Sequence, residues 1–167
     1  MSDLNATSAA LLGLLQHEGP MTGGQLVAVA RQRFGSFFSV TRSQVYRELP
    51  SLTDAGLLRL GKQGPRSSQQ YVITAAGRRA FKAWLNSVPG VDSMRSPLIL
   101  RLLHANSLTP KQRNALVSSA REAYGEQLSI ARAEAKQAAD PYSKAVADFT
   151  VAHVRAMIKL IDSIPAG

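Results

Sequence analysis

Apolar residues recur at helical spacing through the first third of the chain. In 41-TRSQVYRELPSL-52, Val45, Leu49 and Leu52 fall at i, i+4 and i+7, which gives a helix one apolar face. Similar patterns precede this stretch, and a glycine or glycine-proline follows each one. The pattern predicts three short helices, over residues 8–18, 22–35 and 41–54, the first of them capped by Thr7 or Ser8.

The pattern then changes to short segments of β-forming residues. The stretches 57-LLRL-60 and 70-QYVIT-74 flank 61-GKQGPRSSQ-69, which is rich in turn residues and carries Lys62 and Arg66. This arrangement predicts a β-hairpin with a long basic tip. A fourth helix follows, from a cap at Thr74 to about Ser87.

The second half of the chain is helical throughout. Val88-Pro89-Gly90 breaks the fourth helix, and residues 88–96 read as a short linker. Thr109-Pro110 and Asp140-Pro141 each combine a cap residue with a proline at the first helical position. The predicted helices are residues 97–107, 110–139 and 141–164.

The last of these helices is apolar around most of its circumference. Tyr142, Val146 and Phe149 mark one face, and Val154 and Ile161 belong to another. A helix of this kind must be buried on more than one side, and a single pair of long helices offers too little cover. We therefore expect residues 97–167 to form a homodimerisation domain. The alternative is a monomeric helical hairpin packed onto the first domain.

The order of elements over the first 88 residues is three helices, a hairpin and a fourth helix. That is the order of a winged helix-turn-helix domain, in which the third helix enters the DNA major groove and the hairpin lies along the backbone or minor groove. The predicted fold is mainly α with a small β-hairpin wing. Its predicted domains are a DNA-binding domain at residues 1–88 and a long-helix dimerisation domain at residues 97–167.

Pro50 interrupts the third predicted helix. Thr41 and Gln44 have the spacing of a capping box at its start, but an interior proline removes one backbone hydrogen bond and costs about 3 kcal/mol. We expect a kink or a local break near residues 46–50, with Leu52 still docked in the core. The residues that precede Pro50 would keep their helical geometry.

Charge and composition favour a polyanionic partner. The 167 residues carry a net charge of +9, and residues 1–95 hold 11 Lys and Arg against 5 Asp and Glu. The absence of cysteine excludes disulfides, thiolate metal sites and a cysteine nucleophile. No apolar run is long enough to span a membrane, and the N-terminus lacks the basic region of a secretory signal. Cytoplasm is the expected compartment.

No catalytic or cofactor-binding motif is present. His17, His104 and His153 lack metal-ligand spacing, and neither a G-x-S-x-G elbow nor a phosphate-binding loop occurs. We therefore expect neither an enzyme nor a cofactor. Polar and basic residues of the third helix and the wing are instead the candidate DNA contacts: Arg42, Ser43, Gln44 and Arg47 for bases, and Lys62, Arg66, Ser67 and Ser68 for phosphate or the minor groove.

Several of these motifs together resemble the PadR family of bacterial transcriptional regulators. The similar segments are LLGLLQHEGPMTGGQLVAVARQRFG, VYRELPSLTDAGLL and QQYVITAAGRRAFKAWL, which cover about residues 8–88. Pro50 departs from the family pattern, which usually continues the helix there. The resemblance implies a dimeric DNA-binding regulator, and it suggests that the Tyr46 hydroxyl contacts a phosphate.

The resemblance also implies a small effector, since related regulators respond to aromatic or drug-like ligands at the dimer junction. Trp84, Tyr142 and Phe149 could line such a pocket. The function expected from the sequence is a homodimeric repressor on an inverted-repeat operator, released by a small aromatic ligand. Two alternatives stay open, a winged-helix protein-interaction adaptor and a non-specific nucleoid-like DNA binder.

Overall fold

A computed structural model describes residues 4–35, 37–63 and 68–165. The chain forms two compact units, Met1–Gly90 and Val91–Gly167. In these described ranges the protein is mainly helical with one small antiparallel sheet, which confirms the predicted fold class. No helix in the described ranges is long and apolar enough to cross a membrane.

The first unit has the element order of a winged helix-turn-helix domain. Its sheet has the strand order β1-β3-β2, and both pairings are antiparallel. The elements are α1 (Ala6–His17), β1 (Met21–Thr22), α2 (Gly23–Phe34), α3 (Arg42–Asp54), β2 (Leu58–Gln63), β3 (Gln69–Ile73) and α4 (Ala75–Leu85).

Helix α1 is the centre of this unit's core. Seven of its twelve residues are buried, and it packs against α2, α3 and α4. Leu49 of α3 and Leu26 of α2 are fully buried in the same cluster. Burying a leucine side chain contributes about 1.5–3 kcal/mol. This cluster therefore holds α3 in place through its buried face, while the opposite face of α3 stays exposed. The cap of α1 is Asn5, whose side chain accepts from the Ser8 backbone N–H, and not Thr7 or Ser8 as predicted.

The wing differs from its prediction in two respects. Strand β1 was not predicted, because two residues are too few to show a period; it pairs Met21 with Tyr71. Strand β2 extends to Gln63, so Lys62 lies on a strand and not in the tip. The extension crosses a register shift between Leu60 and Gln63, where Gln69 Nε2 donates to the Gly61 carbonyl at 2.9 Å.

Helix α3 runs without interruption from Arg42 to Asp54, so a local break near residues 46–50 is wrong, whereas a kink there stays a prediction. Leu49 and Leu52, on either side of the proline, are both buried in the α1 core, and their packing holds the helix across the missing hydrogen bond. Pro50 itself is exposed, as is Tyr46, whose carbonyl loses its partner.

The second unit contains two long helices. Its elements are α5 (Pro97–Leu103), a 3₁₀ turn (Ala105–Ser107), α6 (Pro110–Gln137) and α7 (Pro141–Asp162). The predicted helix over residues 97–107 is thus divided, because His104 leaves the helical region with φ −102° and ψ 14°. Thr109 and Asp140 cap α6 and α7, and a proline follows each cap, as predicted.

Helices α6 and α7 pack against each other along one side only. On α7 the buried residues are Thr150, Val154, Met157 and Ile161. The face of Tyr142, Val146 and Phe149 is exposed instead, with 84%, 46% and 63% of each residue accessible. We call these three residues the apolar face of α7. The described residues of the second unit leave this face largely open.

Candidate nucleic-acid interface

The first turn of α3 is fixed by a capping box. Thr41 Oγ1 accepts from the Gln44 backbone N–H at 3.2 Å, and Gln44 Oε1 accepts from the Thr41 N–H at 2.8 Å. Arg42 and Ser43 are exposed on this turn. Because Gln44 Oε1 is engaged in the cap, a bidentate contact of Gln44 with adenine would have to replace those bonds. The Gln44 amide nitrogen takes no part in the cap, so its N–H groups can still donate to DNA.

Tyr46 joins α3 to the start of α2. Its ring packs on Gly23 so closely that a Cβ at residue 23 would lie 3.0 Å from the ring. The Arg42 guanidinium lies 5.2 Å from the centroid of the same ring, in cation–π range. Tyr46 is 46% exposed, so one side of it still faces solvent. A phosphate contact by the Tyr46 hydroxyl stays a prediction.

Arg47 is bound to its neighbour Glu48. Its Nε and Nη2 donate to Glu48 Oε1 at 3.3 and 3.2 Å. The Arg47 side chain remains 70% exposed, whereas that of Glu48 is 10% exposed. The other Glu48 oxygen accepts from Ser8 Oγ at 2.7 Å and Asn5 Nδ2 at 3.1 Å. Three side chains from α1, its cap and α3 thus converge on one carboxylate.

The sequence did not predict Glu48, Asn5 and Ser8 as parts of the candidate site. Asn5, the cap of α1, and Ser8 in α1 are 43 and 40 residues distant from Glu48 along the chain, beyond the reach of any local pattern. A signal was nevertheless present, since Glu48 follows Arg47 directly and lies three residues after the apolar Val45, on the same side of the helix.

The hydrogen bonds from Ser8 and Asn5 hold the pKa of Glu48 below its ordinary value, against the opposing effect of burial, and Arg47 adds to the lowering. A carboxylate with a lowered pKa in the folded state stabilises the fold at any pH above its unfolded pKa. That stabilisation is lost as the pH falls through the folded pKa.

We expect Glu48→Gln to lower the free energy of unfolding at neutral pH and to have a shrinking effect below about pH 4.3, the ordinary pKa of glutamate. Protonated Glu48 has no charge for the variant to remove. Urea unfolding of both proteins between pH 3 and pH 7 measures the difference. A gap that stays constant across this range would contradict the assignment of a charged Glu48 to the folded state.

The described part of the wing presents an exposed Lys62 on β2 and a half-buried Ser68 before β3. Arg66 and Ser67 lie outside the described residues. Further exposed cations of the first unit are Arg31, Arg59, Arg78, Arg79 and Lys82. Arg33 is paired with Glu18. The candidate interface is therefore the N-terminal half of α3 with Lys62 beside it on the wing.

The three candidate ligand-binding aromatics fall in different units. Trp84 ends α4 in the first unit and is stacked on Phe81, with the ring centroids 6.4 Å apart. Tyr142 and Phe149 lie on the apolar face of α7 in the second unit, where Phe149 stacks on His153. Their joint role in a ligand pocket stays a prediction.

Comparison with known sequences gives one family and one curated relative. Residues 11–83 match the transcriptional regulator PadR-like family. The negative transcriptional regulator PadR of Bacillus subtilis is 28% identical over 111 residues, which cover 64% of this chain. The aligned part spans 60% of that relative's length.

Two solved structures share the fold over nearly the whole chain. Bacillus subtilis PadR in complex with operator DNA has a TM-score of 0.77 and 22% identity, covering 96% of this chain and 97% of that one. The same protein in complex with p-coumaric acid has a TM-score of 0.67 and 20% identity, covering 96% of each chain. These two matches confirm the predicted winged-helix fold, and the match of residues 11–83 to the family confirms the predicted resemblance. Residues 11–83 are therefore similar to the PadR-like family of transcriptional regulators, as the sequence predicted.

Proposed function

We propose that this protein is a homodimeric, sequence-specific DNA-binding repressor that acts in the cytoplasm. One observation carries the proposal: α3 exposes Arg42 in its first turn and Arg47 on the side away from its buried Leu49 and Leu52, in a chain that matches the PadR-like family. A helix held in this way can enter a major groove while its N-terminal side chains reach the base edges. The negative regulator from Bacillus subtilis and its complex with operator DNA support the same function.

A gel shift at fixed salt tests the proposal directly. Duplex DNA from the protein's own upstream region is compared with a scrambled duplex of equal length and composition. We expect a clear preference for the upstream region, which a repressor with an inverted-repeat operator requires. Equal binding to both duplexes would identify a non-specific binder, and binding to neither would favour an adaptor.

Arg47 and Lys62 are expected to contribute to binding in different ways. Arg47→Ala should cost about 1–3 kcal/mol on the preferred duplex and little on scrambled DNA, if Arg47 reads a base. Lys62→Ala should weaken both duplexes alike and reduce the slope of log K against log salt by about 0.9, the share of one phosphate. Titrations at several salt concentrations measure both effects. Equal losses on the two duplexes for Arg47→Ala would remove its base-reading role.

The proposed dimer forms through the second unit. The apolar face of α7 exposes two aromatic rings and a valine in a row along the helix, and exposed apolar surface of this kind marks an interaction site. A two-fold dimer places two α3 helices at half-sites separated by one helical turn of DNA or a multiple of it.

We further propose that a small aromatic ligand releases the protein from DNA. The support is the p-coumaric acid complex of Bacillus subtilis PadR, together with the exposed aromatic rings of Trp84, Tyr142 and Phe149. Trp84 is the only tryptophan, so the tryptophan fluorescence of the protein comes from this side chain alone.

Titration with p-coumaric acid should therefore change Trp84 fluorescence saturably and weaken the gel shift over the same concentration range. Phe149→Ala should raise the apparent Kd, because a stacking partner is removed. Buffer without ligand and an aliphatic acid of similar size serve as controls. A fluorescence that stays constant across a panel of aromatic acids would contradict the effector proposal.

A further inference from the structure

Glu48 combines burial with a complete set of partners. It lies on α3, but 10% of its side chain is exposed, against 70% for the adjoining Arg47. Four N–H or O–H groups donate to its two oxygens, two from Arg47 to Oε1 and one each from Ser8 and Asn5 to Oε2. A carboxylate has about four acceptor sites, so this group is saturated and has one orientation that satisfies it.

The anchor of this carboxylate is α1, not α3. Asn5 is the cap of α1 and Ser8 is buried in its first turns. Burying a charge is costly unless it is fully hydrogen-bonded, so Oε2 is held against α1. With Oε2 held, Oε1 is a fixed acceptor at the surface of α3.

Arg47 meets this acceptor with only one side of its guanidinium. A guanidinium has five N–H groups, and those on Nε and Nη2 that face Glu48 form its lateral pair. The terminal pair, one N–H on Nη1 and the second on Nη2, has no acceptor among the contacts of the described residues. Two parallel N–H groups are what a bidentate contact to guanine O6 and N7 requires.

We propose that Glu48 is a positioning residue that fixes the Arg47 guanidinium, so that its terminal N–H pair is presented to a guanine in the major groove. The inference rests on the proposed DNA-binding function and adds to it a specificity determinant and the base it selects. Arg47 would otherwise be a mobile side chain that loses its rotamer freedom on binding; a preorganised donor avoids that loss.

Two simpler roles make different predictions for Glu48→Gln. If Glu48 acts only as a charge near DNA, its loss should strengthen binding to every sequence equally. If it acts only in the core, the variant should lose stability but keep the ratio of specific to non-specific affinity. The positioning role alone requires a fall in that ratio for the folded protein.

The first experiment measures the mobility of Arg47 without DNA. Backbone-assigned NMR of the full chain records the ¹⁵N heteronuclear NOE of the arginine Nε groups, with the exposed Arg79 as reference. We expect a rigid Arg47 Nε in the wild type and a mobile one in Glu48→Gln. An Arg47 as mobile as Arg79 in the wild type would overturn the proposal, whatever the DNA binding shows.

The second experiment compares binding to the protein's own upstream region with binding to scrambled DNA at fixed salt. Glu48→Gln should lower the affinity ratio by about tenfold, within the range of one bidentate pair. In an Arg47→Ala background the same change should leave the ratio unaltered, because no guanidinium is left to position. A ratio that falls equally in both backgrounds would overturn the proposal.

Two further variants keep the result interpretable. Asp54→Asn removes the same charge from an exposed position of the same helix, so it should leave the ratio unchanged. Ser8→Ala frees Oε2 but keeps the Glu48 charge, and it should lower the ratio in the same direction even if Glu48→Gln folds poorly. A wild type without sequence preference would refute the proposed function, whereas a preference that Glu48→Gln and Ser8→Ala both preserve would refute this inference alone.

Discussion

Gly77→Ala is expected to lower the free energy of unfolding of the first unit by about 3 kcal/mol or more. An alanine Cβ at this position would clash with the Leu57 carbonyl oxygen and lie 2.8 Å from Ile73 Cγ1. The carbonyl cannot retreat freely, because it accepts from the Thr74 backbone N–H at 3.0 Å and from the Thr74 hydroxyl at 3.1 Å. The substitution therefore strains the junction of α3, the wing and α4.

The same threonine hydroxyl caps α4 by accepting from the Gly77 N–H at 3.0 Å. Any shift that relieves the clash thus weakens the cap as well, which adds about 1 kcal/mol to the cost. The midpoint temperature of thermal unfolding should fall by about 4–8 °C for each kcal/mol lost in a domain of this size. Gly24→Ala is the matched control, since its Cβ would have only Thr22 Oγ1 nearby, at 4.0 Å. Equal unfolding temperatures for the two variants would show that the junction yields more easily than its geometry indicates.

Phe149→Glu is expected to convert the proposed dimer into a monomer. The side chain is exposed within the second unit, so the change should leave the fold of a single chain intact. A glutamate buried between two apolar faces would cost far more than the contact it replaces. Because two linked half-sites bind more tightly than one by a factor on the order of 10²–10⁴, the affinity for the upstream region should fall by a comparable factor.

Analytical ultracentrifugation at micromolar concentration measures the mass, and a gel shift measures the binding. Arg155→Glu places the same residue on an exposed position of α7 away from the apolar face, and it should remain dimeric. Far-UV circular dichroism confirms that both variants stay helical. A wild type that sediments only as a monomer, or a Phe149→Glu variant that remains a dimer, would refute this interface.

Local chemistry made much of the fold predictable from the sequence. The caps at Thr41, Thr74, Thr109 and Asp140 were predicted from residue type and spacing alone, and each makes its hydrogen bond. Gly56 has a φ of +70°, the left-handed conformation that a glycine just after the end of a helix favours. These signals act over three or four residues, so a sequence displays them without reference to the rest of the chain.

The surface residues of the candidate site were also readable as a set, because a winged helix-turn-helix order assigns α3 and the wing to DNA. The role of each residue could not be predicted in this way. Gln44 was predicted both to close a capping box with Thr41 and to pair with a base; the structure confirms the capping box, and the base contact stays a prediction. Glu48 was not singled out at all, although it binds Arg47 and two residues of the α1 region.

The sequence by itself determined most of the helices, the caps of α3, α4, α6 and α7 and the basic residues of α3, since propensity, capping and periodicity are local. Only the tertiary structure decided that α3 continues through Pro50, that β1 joins the sheet and that Glu48 turns inward beneath Arg47. Each of these depends on groups that are distant along the chain: the α1 core behind Leu49 and Leu52, the Tyr71 partner of Met21, and the Ser8 hydroxyl. Burial in a shared core can outweigh the cost of one missing backbone hydrogen bond, and no local pattern records which residues share that core.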